Sequence, residues 1–161
     1  MIEKIIIAAI GPNRVIGING KIPWHIADDL KLFKKATLDN TVLMGRNTYK
    51  SILEYLGKPL PERNNIVLSR TMPIQIGIYV CKSLDEAFKT ADTLGRNLFI
   101  IGGAQLYEAT LPIADRMFIS HVKSHFDGDT FFPNYNERDW IAEERVDYPD
   151  FEWVNYMRLR T

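Results

Sequence analysis

The chain has 161 residues, 46% of them hydrophobic and 25% charged, and its 20 basic and 20 acidic side chains cancel. This is one domain's worth of protein with enough apolar surface for a proper core, and the neutral balance excludes long-range attraction to nucleic acid or an anionic membrane. The lone cysteine, Cys81, excludes an internal disulfide and suits a reducing compartment. These totals predict a cytoplasmic monomer or small oligomer that handles something small.

Residues 4–10 (KIIIAAI) are a continuous apolar run, the pattern of a strand buried on both faces. The run is far too short to span a membrane, and its flanks are not those of a signal peptide. Residues 11–23, rich in Gly, Asn and Pro, read as a long irregular loop. A helix is predicted over 26–36. Residues 41–45 form a second buried strand, and residues 46–53 open a helix. Residues 65–69 are a third strand and 79–81 a fourth. Ser83 followed by Glu86 is a capping box for a helix over 84–94. Residues 97–103 are a strand ending in two glycines, and 104–110 look helical. To this point strands and helices alternate, which implies crossovers and a largely parallel sheet. After Pro112 come runs at 117–122, 140–146 and 153–159 with no helix between them, read as antiparallel strands at an edge of the same sheet. The expectation is a single α/β domain over 1–161: a mostly parallel, eight-stranded mixed sheet with antiparallel C-terminal edge strands and about four flanking helices.

Within the helix over 26–36 each residue turns roughly 100° from the last. Ile26, Leu30 and Phe33 then share a face, with Leu32 and Ala36 on its shoulder. Asp29 falls inside that arc and Asp28 outside it, near Lys31 and Lys35. An acid in a first helical turn can simply complement the helix dipole, and Asp28 is read that way. Asp29 is predicted to be half-buried, and a carboxylate among Leu, Phe and Ile needs a partner or a task.

In a parallel α/β sheet, ligands bind beyond the carboxyl ends of the strands. Three such ends carry suitable chemistry. Gly45-Arg46-Asn47-Thr48 sets a guanidinium and a hydroxyl at a helix N-terminus, a ready anion site. Ser69-Arg70 repeats that pair, and Gly102-Gly103-Ala104-Gln105 lets backbone amides approach a phosphate. Each alone reads as ordinary turn chemistry; together they point to a phosphate-bearing ligand, a nucleotide above all. Neither GxGxxG nor GxxxxGK[ST] occurs. His121 and His125 do not form a metal-ligand pattern, no HExxH occurs, and no metal site is expected. No Gly-x-Ser-x-Gly occurs, and three scattered histidines suggest no nucleophilic triad. Phe126-Asp127-Gly128-Asp129 lacks the remaining ligands of a calcium loop and reads as a turn.

Taken in order and spacing, several stretches resemble the bacterial-type dihydrofolate reductases along nearly the whole chain. They are Ile7-Ala8-Ala9, Val15-Ile16-Gly17, Pro23 to Leu30 (PWHIADDL), Met44 to Tyr49 (MGRNTY), Pro59 to Asn65 (PLPERNN), Ile101 to Tyr107 (IGGAQLY) and Gly128 to Pro133 (GDTFFP). The resemblance implies an NADPH-dependent oxidoreductase of one-carbon metabolism that reduces 7,8-dihydrofolate by hydride transfer to C6 and protonation of N5, and that binds antifolate inhibitors. It implies catalytic roles for Asp29, as the acid of the pteridine pocket, and for Trp24, which acts through ordered water. Water is implied as the source of the N5 proton, since the carboxylate lies too far away. Substrate contacts are implied for Ile7, Ala8, Leu30, Phe33, Ile52, Leu60, Ile101, Tyr107 and Ser120. Arg63 matches the guanidinium that takes the glutamate α-carboxylate in a two-pronged pair, which lysine cannot copy. NADPH contacts are implied for Ala9, Ile16, Gly17, Gly45, Arg46, Asn47, Thr48, Leu68, Ser69, Arg70, Ile101, Gly102, Gly103, Ala104, Gln105, Leu106 and Tyr107. The Gly102-Gly103 bond is implied to be cis, and residues 11–23 to be the mobile loop over the nicotinamide.

Three departures stand out. Ser120 occupies a position where the family often has threonine, and keeps the hydroxyl. Gln105 stands where some bacterial members carry an arginine for the cofactor's 2′-phosphate, a charge that Arg70 could supply. Leu53-Glu54-Tyr55-Leu56 reads as a short insertion near the mouth of the folate site. A pyrimidine reductase of riboflavin synthesis is disfavoured, because Asp29, Phe33 and Arg63 together describe a folate pocket. A non-catalytic NADPH- or folate-binding module is disfavoured because no implied catalytic position is lost.

Overall fold

A strand whose alternate side chains are all apolar must be covered on both sides, and β1 (Lys4–Ile10) lies inside an eight-stranded sheet for that reason. Ile6, Ala8 and Ile10 enter one core, while Ile5 and Ile7 enter the other. The computed structural model describes residues 2–160; Met1 and Thr161, the ends of the expected domain, lie outside the described residues. Its further elements are β2 (Val15–Gly17), α1 (Ala27–Thr37), β3 (Thr41–Gly45), α2 (Arg46–Leu56), β4 (Asn64–Leu68), β5 (Tyr79–Cys81), α3 (Leu84–Leu94), β6 (Leu98–Ile100), α4 (Ala104–Thr110), β7 (Arg116–Val122), β8 (Thr130–Phe131), β9 (Trp140–Asp147) and β10 (Phe151–Arg158).

The sheet order is β5-β4-β3-β6-β1-β7-β10-β9. Strands β5 through β7 are all parallel, and β10 is antiparallel to both β7 and β9. The run at 117–122, expected to be antiparallel, therefore runs parallel beside β1, because α4 carries the chain back across the sheet first. Only β10 reverses the direction, and it inserts between β7 and β9. α3 and α4 contribute Ala87, Ala91, Leu106 and Tyr107 to the core on one face. Tyr49, Ile52 and Leu53 of α2 and Phe33 of α1 cover the other.

Local signals set several element ends. Ser83 Oγ accepts from Glu86 N–H at 3.1 Å, the cap bond expected at the start of α3, while the Glu86 carboxylate accepts from the N–H of Lys82, one residue before the cap, at 2.9 Å. The short insertion at residues 53–56 extends α2 by its last turn, closed by Gly57 N–H on the Leu53 carbonyl at 2.8 Å. The segment read as an irregular loop contains β2, which pairs with β8 in a small second sheet. Both partners are too short to be recognised without each other.

Candidate active site

Since β4, β3 and β6 are parallel neighbours, their carboxyl ends share one edge of the sheet. The three strand ends meet there. Gly45 N–H donates to the Gly102 carbonyl at 2.9 Å, and Arg46 Nη1 donates to Thr71 Oγ1 at 3.4 Å. Ser69 Oγ accepts from the amides of Thr71 and Met72 at 3.4 and 3.1 Å, so its own proton is free to donate. The side chains of Arg46 and Arg70 are exposed beside it. The Gly102-Gly103 bond is cis. At Gly102 φ is +113°, and a Cβ there would lie 3.1 Å from Tyr107 Oη, so only glycine fits.

At the start of α1, Asp28 is exposed and Asp29 half-buried, as their places on the helix predict. Ser120 lies on β7, on the same side of the sheet as Phe118, and its Oγ donates to Asp29 Oδ1 at 2.5 Å. Burial pushes the Asp29 carboxyl above the usual carboxylate range, and the Ser120 hydrogen bond opposes that shift. Tyr107, buried beneath Gly102, donates to the Ile7 carbonyl at 2.8 Å. Burial, with the negative charge of Asp29, holds its phenol well above the ordinary range. Tyr107 belongs to the core on the opposite face of the sheet from Asp29, so that charge acts on it through the sheet.

The other end of α1 meets Arg63. Its Nε donates to the Pro61 carbonyl at 2.8 Å and its Nη1 to Thr37 Oγ1 at 3.3 Å. Burial lowers the pKa of this guanidinium, and Glu62 beside it acts in the opposite sense. Asn65, a buried amide in an apolar strand, braces the turn. It pairs with both the N–H and the carbonyl of Leu60, at 3.1 and 2.9 Å, and also donates to the Arg63 carbonyl at 3.1 Å. Eight residues separate Asp29 from Thr37, roughly 12 Å along a helix. Between these ends Phe33, Ile52, Leu60 and Ile101 pack into one apolar cluster. The result is an elongated site with an acid at one end, a guanidinium at the other and hydrocarbon between.

The dihydrofolate reductase family profile matches residues 3–158. The chain belongs to the dihydrofolate reductase family. It is 43% identical over 145 residues to dihydrofolate reductase type 3 of Salmonella typhimurium, covering 89% of this chain and 86% of that one. To the dihydrofolate reductase of Bacillus subtilis it is 38% identical over 159 residues (93% and 91%), and to HdrB of Haloferax volcanii 37% over 163 residues (98% and 84%). Among solved structures, the dihydrofolate reductase of Enterococcus faecalis complexed with NADP(H) and RAB-propyl superposes with a TM-score of 0.84 at 32% identity, covering 97% of this chain and 96% of that one.

Within this dihydrofolate reductase fold some expected contacts are placed differently. The side chain of Ala8 packs into the core on the opposite face from Asp29, leaving only its backbone for a ligand. Leu106 of α4 likewise packs its side chain into that core. Leu30 lies at the rim, 46% exposed. Ala9, Ile16, Leu68 and Ala104 are partly buried, Gly17 is buried, and Asn47, Gly103 and Gln105 are exposed. A groove beside α3, lined by Tyr79, Ser83, Lys89, Thr90 and Leu94, contains none of these residues.

The fastening of the loop over 11–23 has no signature in the loop's own sequence. Asn19 N–H donates to Asp129 Oδ2 at 3.0 Å, the Asp129 amide donates to the Gly17 carbonyl at 3.0 Å, and Arg14 donates to the Phe132 carbonyl. The Trp24 ring packs 5.4 Å from that of Phe126. A Cβ at Gly128 would lie 2.3 Å from Val15 Cγ1, so the two segments touch through glycine. The stretch read as a plain turn is thus the anchor of the loop. Its Gly-Asp pair is the only local hint, and nothing in it names the distant partner.

Proposed function

We propose that Asp29 and Arg63 hold the two ends of dihydrofolate in this enzyme, which reduces that substrate to tetrahydrofolate with NADPH. One observation carries the assignment. A half-buried carboxylate and a half-buried guanidinium sit at opposite ends of α1, with an apolar floor between them. A pterin offers an amino group and a ring N–H to the acid, its aromatic linker suits the floor, and its glutamate carboxylate suits the guanidinium.

The strand ends fit the cofactor. Two exposed guanidinium groups, a serine hydroxyl with a free proton and a glycine pair admit a phosphorylated dinucleotide, with Arg46 and Arg70 at its 2′-phosphate and Gln105 nearby. NADPH, when bound, supplies the hydride that goes to C6. Asp29 accepts the pterin's amino and N3 hydrogens, fixing which ring edge faces the strand ends. Its charge in a water-poor site favours the protonated pterin, with water carrying the proton to N5. Trp24, packed on Phe126, closes that end of the site. The apolar walls exclude bulk water, which strengthens both charge interactions.

The enzyme works as a monomer, one domain over 1–161, in the cytoplasm, without a nucleic-acid or membrane partner. The zero net charge fits the lack of a nucleic-acid partner and the single buried cysteine fits a reducing compartment; among the described residues no helix is long and apolar enough to cross a membrane. The decisive test is loss of NADPH absorbance with and without dihydrofolate. Oxidation that does not depend on dihydrofolate would remove the catalytic reading.

A further inference from the structure

Thr37 ends α1 with no exposed surface, yet its hydroxyl is engaged on both sides. Its proton goes to the Phe33 carbonyl at 2.8 Å, one turn back. A threonine late in a helix often makes that bond and nothing more. Here the oxygen also accepts from Arg63 Nη1 at 3.3 Å, across 26 residues of chain.

Arg63 has five N–H groups in a rigid plane. Nε–H is fixed on the Pro61 carbonyl and one Nη1–H on Thr37, two contacts in different directions. Three N–H groups remain for a ligand, enough for a two-pronged grip on a carboxylate. Without the Thr37 contact the guanidinium is fixed only through Pro61, two residues away on its own loop, and is free to swing about that anchor. The Arg63–Thr37–Phe33 chain also links the guanidinium to the helix that carries Asp29. We propose that Thr37 is a positioning residue: a buried hydroxyl that aims Arg63 at the substrate's carboxylate tail. This rests on the reading of Arg63 given above.

Thr37→Val keeps the shape of the side chain and deletes the acceptor, while Thr37→Ser keeps the acceptor. The probes are methotrexate, which carries the glutamate tail, and trimethoprim, which does not, each with NADPH present. Thr37→Val should raise the Kd for methotrexate and the KM for dihydrofolate about three- to tenfold. It should leave kcat and the trimethoprim Kd near the parent values, and Thr37→Ser should restore tail binding. In Arg63→Leu protein the cost of Thr37→Val should vanish. Equal weakening of both inhibitors, no weakening of methotrexate, failure of serine to rescue, or a cost that persists without Arg63 would each overturn the proposal. Thr37→Ala gives the same reading should valine prevent folding. If Arg63→Leu alone weakens both inhibitors equally, the tail assignment of Arg63 fails first and this proposal falls with it.

Discussion

Asp29→Asn separates what this acid costs the fold from what it gives the reaction. Ser120 Oγ sits 2.5 Å from Oδ1, and an asparagine oxygen can keep that bond. The other position then presents an N–H to a pterin edge that also offers N–H, so one charge-assisted hydrogen bond is lost and an unpaired donor is left facing the ligand. At roughly 1.5–3 kcal/mol for such a bond plus roughly 1–3 kcal/mol for the orphaned donor, the loss is about 2.5–6 kcal/mol. That corresponds to roughly two to four powers of ten in kcat/KM, with NADPH affinity unchanged. Activity should partly recover towards pH 5, where more substrate arrives already protonated. Stability should move the other way. Burial raises the folded-state pKa of Asp29 above 3.8, so ionising it penalises the folded state once the pH exceeds that of the unfolded carboxyl. Asp29→Asn should therefore raise Tm at neutral pH, and the gain should fade as the pH falls through the raised folded-state pKa and be gone below about 4. Asp28→Asn, on the exposed face, should leave activity unchanged and lower Tm only slightly, through the lost helix-dipole interaction. Steady-state NADPH oxidation from pH 5 to 8 and thermal melts over pH 3 to 8 read both. The reasoning fails if Asp28→Asn is the crippled variant, or if Asp29→Asn lowers Tm at pH 7.

Three further outcomes follow from the same geometry. Arg63→Leu should weaken dihydrofolate and methotrexate by about tenfold to a hundredfold and barely affect trimethoprim; inhibition constants measured side by side check this. Replacing Arg46 and Arg70 together by glutamine should sharply narrow the NADPH-over-NADH preference in kcat/KM, and an unchanged ratio would place the 2′-phosphate elsewhere. Gly128→Ala puts a methyl group 2.3 Å from Val15 Cγ1 and 2.7 Å from the Gly17 carbonyl. It should cost about 1–3 kcal/mol of stability and speed hydrogen exchange at the β2 amides, whereas a variant with parental Tm and exchange would show that the two segments separate freely.

Features that depend on neighbours within a few residues are legible in the chain alone. Continuous apolar runs mark β1, β3, β4 and β6, and the 100° helical step tells Asp28 from Asp29, because both are patterns of local backbone geometry. The capping box at Ser83 and the glycine pair at 102–103 were legible for the same reason. The alternation of strands and helices by itself puts three binding ends on one edge of the sheet. Tertiary structure decided what depends on pairing across the chain. The direction of β7 rests on α4 crossing the sheet, which an apolar run cannot encode. Ser120 reaches Asp29 across 91 residues and Arg63 reaches Thr37 across 26. Gly128 and Asp129 look like an ordinary turn until Val15, Gly17 and Asn19 are packed against them. A hydrogen bond or a close contact is set by three-dimensional position, whereas spacing along the chain reports only the face of an element on which a side chain stands.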